Sequence, residues 1–96
     1  SEFRNWLSHR QMKPQLVDLI VQRLSSLNQQ IRDDEMLGAN YEVGHSFFCP
    51  NREDLSGCDR EWYEAIVETE IVPMLKEYWF DNVAKATEAR EQLLAP

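Results

Sequence analysis

At 96 residues the chain has the length of one domain with a thin core, and a 43% hydrophobic content that includes three Trp, four Phe and three Tyr excludes a disordered polymer. Seventeen Asp and Glu against ten Lys and Arg leave a formal charge of -7 with no compensating basic patch, which argues against direct nucleic-acid binding. No apolar run approaches the roughly 20 residues of a membrane span, and Cys49 and Cys58 fit free thiols in a reducing, cytoplasmic compartment better than a stapled secreted domain.

The chain opens Ser1-Glu2-Phe3 without Met, which reads as a fragment of a longer protein forming a single domain over 1–96. Phe3, Trp6 and Leu7 form a short apolar cluster expected to make a helical turn or two, with Trp6 as its chief anchor. His9 reads as a solvent-facing residue. Pro14 suits the first turn of a helix, where its missing N–H costs nothing. From there Val17, Ile20, Val21, Leu24, Leu27 and Ile31 recur at steps of three and four, with Leu16 widening the stripe. Asp33-Asp34-Glu35 is expected to be a solvated, fraying end before Gly38. Three consecutive carboxylates on a helix point in different directions, so a magnesium site there is rejected.

Leu37 to Pro50 breaks the helical pattern and reads as an extended or hairpin-like segment. Tyr41 and Val43 alternate as in a short strand, while Ser46 could equally cap a single helical turn holding Phe47 and Phe48. The segment carries large apolar groups with Gly44, His45 and Ser46 between them, so these three are the first candidates for a ligand contact. Asn51 to Gly57 has the composition of a surface loop. Ser56 or Asp59 then caps a second long helix bearing Trp62, Tyr63, Ile66, Val67, Met74, Leu75 and Tyr78. Pro73 is expected to kink it near Ile71-Val72. Asp81 is expected to cap a last helix from Asn82 to about Leu94, stabilised mainly by docking.

Catalytic arrangements are thin. There is no Gly-rich loop with Lys and Ser or Thr, no nucleophile elbow, and no partner that orients either histidine. His45, Cys49 and Cys58 form an H-x3-C-x8-C spacing without a C-x2-C pair, a poor zinc pattern. Cys49 reads instead as a small buried hydrophobe.

The run Leu27-Asn28-Gln29-Gln30-Ile31, then Leu37-Gly38 and Val43-Gly44-His45-Ser46-Phe47-Phe48, resembles the C-terminal helical lid of the McrB branch of AAA+ proteins. So does Trp62-Tyr63 with the later stretch Glu70-Ile71-Val72-Pro73-Met74-Leu75-Lys76-Glu77-Tyr78-Trp79-Phe80-Asp81. The likeness implies an all-α lid fold with three main helices and a short extended or hairpin-like segment between the first two. It implies a parent motor in a system that restricts modified DNA, using GTP or ATP with Mg held largely by a missing large domain. It implies as partners that large AAA+ domain, neighbouring subunits of a homo-oligomeric ring, and an McrC-like endonuclease subunit. Gly44-His45-Ser46 matches the family's glycine-histidine-serine motif, which implies contact with nucleotide or with the large domain. Arg60 is the one candidate for the phosphate-sensing arginine found in many AAA+ lids. The alternative is a stand-alone helical module that binds a protein partner without nucleotide.

Overall fold

A computed structural model describes residues 1–96 as five α-helices with no strand: α1 (Glu2–His9), α2 (Pro14–Asp33), α3 (Arg60–Ile66), α4 (Val72–Tyr78) and α5 (Val83–Leu94). The fold is all-α, but the expected count of three main helices is too coarse. The N-terminal cluster is a helix of its own, and the second long helix is α3 and α4 joined by a π turn over Val67–Ile71.

α2 follows its sequence closely. Pro14 sits in its first turn, and Leu16, Val17, Ile20, Leu24, Leu27 and Ile31 are buried along one face. α1 packs against that helix through Phe3 and Leu7, which are buried, whereas Trp6 is half-buried beneath the Arg10 guanidinium, 3.8 Å from its ring centre. The anchor is thus Leu7 with Phe3, and not Trp6. α1 ends in a Schellman turn: Gln11 takes φ 70°, its N–H donates to the Ser8 carbonyl, and the Met12 N–H donates to Leu7. Met12 and Leu7, both buried, supply the apolar contact that accompanies this turn.

The π turn explains how one face stays buried from Tyr63 to Trp79. The core residues are Tyr63, Val67, Ile71, Leu75 and Trp79, each four positions after the last. In an unbroken α-helix each such step drifts by about 40° around the axis. The wider π turn winds part of that drift back, so the run keeps facing α2 and α5. It also answers Pro73, which has no N–H to donate: the Val72 N–H donates to Val67, five residues back, and the Thr69 hydroxyl donates to the Ala65 carbonyl. Ile66, Val67, Ile71 and Val72 keep right-handed helical angles, and Pro73 is accommodated by a bulge in the ladder.

α5 docks by its small residues, Ala86 and Ala89, and by Leu93, while Val83 is left in solvent. Its N-cap is Asn82, whose side chain accepts from the Lys85 N–H, and not Asp81 as expected. The carbonyls from Gln92 to Pro96 are all taken. Arg23 donates to Gln92 (2.6 Å), Leu93 and Pro96, Arg60 donates to Leu94 and Ala95, and the buried Tyr63 hydroxyl donates to Leu93 (2.8 Å). Two cations at the negative end of a helix dipole hold a helix that its own weak stripe would not. Burial pushes the Tyr63 phenol up to about 12.

Every fully buried side chain is classed with the hydrophobics, so the charged groups sit at rims. One of these, Asp34, does more than fray. Its carboxylate accepts from the Met36 N–H (2.8 Å), the Trp79 indole N–H (2.8 Å) and the Lys85 ammonium (2.5 Å). These contacts tie the end of α2 to the end of α4 and the start of α5, and the side chain is only 6% exposed. The Lys85 contact first, then Trp79 and Met36, hold its pKa down at about 2. The solvated reading therefore fails for Asp34.

Candidate functional site: the loop from Gly38 to Cys49 and its cleft

The segment after α2 is neither a strand nor a hairpin. It consists of two 3-10 turns, Ala39–Tyr41 and His45–Phe48, joined by Glu42, Val43 and Gly44. Gly38, at φ 82°, supplies the left-handed residue that turns the chain, and its N–H donates back to the Ile31 carbonyl. Val43 (3% exposed) and Phe48 (2%) enter the core, and the Phe48 ring meets Tyr63 and Trp62. The turn begins without a side-chain cap, so the expected capping role of Ser46 is replaced by an ordinary backbone bond from the Cys49 N–H to the Ser46 carbonyl.

The loop is held from α2 by two contacts. Asn28 reads the Val43 peptide from both sides: its amide donates to the Val43 carbonyl (2.9 Å) and its oxygen accepts from the Val43 N–H (2.6 Å). Four residues later on α2, Arg32 grips Glu42 at 2.8 and 3.5 Å, which lowers the Glu42 pKa and raises that of Arg32. The residues that follow, Gly44, His45 and Ser46, are exposed, yet their backbone leaves a fixed point. In the sequence Asn28 stands only within the Leu27–Ile31 run that resembles the lid family. The signal for its role is an amide on the helix surface with an apolar loop residue, Val43, in need of backbone partners.

His45 does not hang free. Its ring lies parallel to Phe3 of α1, 4.1 Å between centres and 12° between planes. Together with Asn28, Arg32, Glu42, Leu24 and Ser25, these two rings border a cleft of about 280 Å³. α1, α2 and the loop thus meet at one place, which offers an aromatic wall, a cation, a carboxylate and amide groups. Gly44 bears on what the place is for. Its backbone is ordinary extended chain (φ -75°, ψ 162°), and a methyl added there would meet only the Ser46 hydroxyl, at 4.0 Å. Unlike Gly38, Gly44 is not required by the fold.

Arg60 is not part of this cleft. It lies at the start of α3 and borders a different groove with Lys13, Gln15, Leu16, Leu19 and Asp59. Its guanidinium is engaged by Glu64 (3.0 Å) and by the Leu94 and Ala95 carbonyls (2.8 and 2.9 Å). Asp59 rather than Ser56 caps α3, accepting from the Trp62 N–H at 2.9 Å. Cys58 is buried, with Arg52 donating to its sulfur at 3.1 Å, and Cys49 is half-buried; burial raises both thiols above their usual range. No cluster of three or more His, Cys, Asp or Glu is placed to hold a metal ion, and no helix is long and apolar enough to cross a membrane.

Comparison with known proteins bears on this arrangement. The family described as "McrB, alpha-helical lid domain" matches residues 19–87, from the second turn of α2 into α5 and across the whole loop. The chain is also 37% identical over 94 residues to the Type IV methyl-directed restriction enzyme EcoKMcrB subunit of Escherichia coli (strain K12). That alignment takes in 97% of this chain but 20% of the relative, so the chain spans about a fifth of the relative's length. Both matches contain the loop that Asn28 and Arg32 hold, and the chain belongs to the McrB alpha-helical lid family.

Proposed function

We propose that this chain is the nucleotide-responsive lid of an McrB-like motor subunit, and that the Gly44–Ser46 loop is its contact with the nucleotide or with the large domain that holds it. The observation that carries the reading is the unneeded glycine at Gly44, next to an exposed His45 and Ser46 whose backbone is pinned by the Asn28 clamp. A glycine that the fold does not require leaves room for something to approach the backbone closely. The P-loop, the Mg-binding carboxylates and the residue that positions water belong in this reading to the rest of the parent, as does DNA recognition. The lid supplies closure over GTP or ATP and relays it to neighbouring ring subunits, while an McrC-like subunit cuts DNA. Arg60 fits a phosphate contact only if its guanidinium leaves Leu94 and Ala95, so a sensing role for it requires the end of α5 to release it.

The test uses the parent protein with this region intact and with His45→Ala. Turnover and ring assembly are expected to fall while the melting temperature of the 96-residue chain stays within about 2–4 °C, as for a surface substitution. Unchanged turnover with a lowered melting temperature would return His45 to packing against Phe3. The isolated chain is expected to bind GTP and ATP only weakly in a millimolar NMR titration, and micromolar affinity would overturn the division of labour. A second reading, the stand-alone interaction module, is favoured by one observation, the exposed apolar end described next. A P-loop upstream in the gene decides between the two.

A further inference from the structure

The fold leaves four large hydrophobic side chains in solvent: Met36 (82% exposed), Tyr41 (45%), Phe80 (79%) and Val83 (72%). They are not scattered. All four line two adjoining clefts that share Phe80 as the ridge between them. The larger, about 390 Å³, runs between the turn after α2 and the end of α4. Its apolar surface is Met36, Tyr41, Tyr78 and Phe80, and its charged groups are Glu77 and Asp81, with no Lys or Arg among its walls. Tyr41 and Tyr78 meet edge to face at 5.3 Å, which makes that wall stiff. Phe80 is held outward by its neighbour: Trp79 is buried and tethered to Asp34, and the Asn82 N–H closes the turn on the Trp79 carbonyl at 2.9 Å.

Charge sorts the two clefts. The ion pairs of the chain are Arg4–Asp18, Arg32–Glu42, Arg60–Glu64, Lys85–Asp34 and Arg90–Glu68, so Glu77 and Asp81 have no cationic partner. Across Phe80 the second cleft carries Lys76 and Arg90 instead. Apolar surface beside unpaired carboxylates on one flank selects for an apolar group with a cation next to it, in one orientation. A second copy of this chain brings a net charge of -7 to an acidic rim and is a poor match, as are anionic lipids and nucleic acids.

We propose that the cleft between Met36 and Phe80 docks a protein segment presenting an apolar anchor flanked by Lys or Arg, the anchor seated on Tyr41, Tyr78 and Phe80 and the cation reaching Glu77 and Asp81. Docking there needs no nucleotide, so it stands or falls separately from the reading of the Gly44–Ser46 loop.

The probe is a short synthetic peptide with a central Trp-Leu pair flanked by Arg and Lys, titrated into the labelled 96-residue chain and compared with a counterpart carrying Glu in place of the cations. Methyl and ring resonances of Met36, Tyr41, Tyr78 and Phe80 are expected to shift. Phe80→Ser and Glu77→Lys, both at exposed positions, are each expected to weaken binding about tenfold or more, the size seen on removing a hot-spot contact. Glu53→Lys, outside the cleft, is expected to change it by less than about twofold, as for a peripheral charge. Equal binding of the acidic peptide, no binding at millimolar peptide, or full affinity in a folded Phe80→Ser chain would overturn the proposal. So would equal weakening by Glu53→Lys, which means attraction to net charge alone, or self-association lost on Phe80→Ser, which means a second copy fills the cleft.

Discussion

Two irregular connections lie between α2 and α3; both return apolar side chains to the core, but only the first is tied to a helix by polar side chains. The first, from Asp34 to Phe48, is fixed by side-chain hydrogen bonds at three points: Asp34 to its own Met36 N–H, Arg32 to Glu42, and Asn28 to Val43. The second, from Asn51 to Asp59, is fixed by burial. Leu55 is fully enclosed, Cys58 nearly so, and the Leu55 N–H donates to the Arg10 carbonyl at 2.8 Å. The difference shows in what each leaves outside. Polar clamps fix the backbone right beside exposed side chains, so Gly44, His45 and Ser46 are presented at a defined place. The second loop's polar contacts stay within it, Asp54 accepting from the Ser56 N–H and Arg52 donating to the Cys58 sulfur, so no helix side chain aims the polar residues around Leu55.

The largest effect is expected at the buried pin. Leu55→Ala should cost about 2–4 kcal/mol in denaturant unfolding, since a leucine removed from a closed site leaves a cavity. A loss below about 1 kcal/mol, the range of surface substitutions, would mean that the second loop is held by its backbone instead. Asn28→Ala comes next, at about 1–3 kcal/mol, because it strands both polar groups of the Val43 peptide. Its sharper signature is local: amide exchange at Val43 to Ser46 should accelerate while α3 and α5 stay protected.

Acid titration probes the Asp34 contact. Its folded pKa of about 2 lies below the ordinary 3.8, so its contribution is complete above pH 4 and is lost as pH falls towards 2. Asp34→Asn should flatten that limb of the stability curve and alter Trp79 fluorescence at neutral pH. Glu42 and Glu68, also lowered by their arginine partners, should keep part of the limb. An unchanged limb would show that Asp34 does not couple the helices. The smallest effect carries the opposite sign. Gly44→Ala should stabilise the chain by about 0.4–1 kcal/mol by restricting the unfolded state, while lowering turnover in the parent. Destabilisation would assign Gly44 to the fold after all.

What was legible in the sequence follows from how local each cause is. α2 was clear because its stripe, its Pro14 and its breaker Gly38 lie within one stretch. Gly44, His45 and Ser46 stood out between core anchors; the structure places His45 in one cleft with Phe3 and Arg32, with Gly44 and Ser46 exposed beside it. Tyr41 and Val43 misled because two residues at period two occur by chance, and 3-10 turns have no period long enough to recognise. Asp34 looked like one of three solvated acids, since its indole and ammonium partners are 45 and 51 residues away. The partners of Arg60 were hidden for the same reason: the carbonyls it donates to belong to Leu94 and Ala95. Leu55 was one apolar letter in a polar stretch, and only three-dimensional closure gives it weight.

The π turn at Val67–Ile71 has a consequence for how this helix tolerates length changes. It holds one residue more than a regular α turn needs, so deleting a single residue there would leave an unbroken ladder and a helix of good local quality. Downstream, Leu75 and Trp79 would keep their seats, because five residues in the wider π turn cover about the arc that four cover at 100° each. The indole would stay on its carboxylate with them. A one-letter deletion in α3 or α4 would instead turn everything after it by about 100°, so the π turn is where this helix can lose a residue.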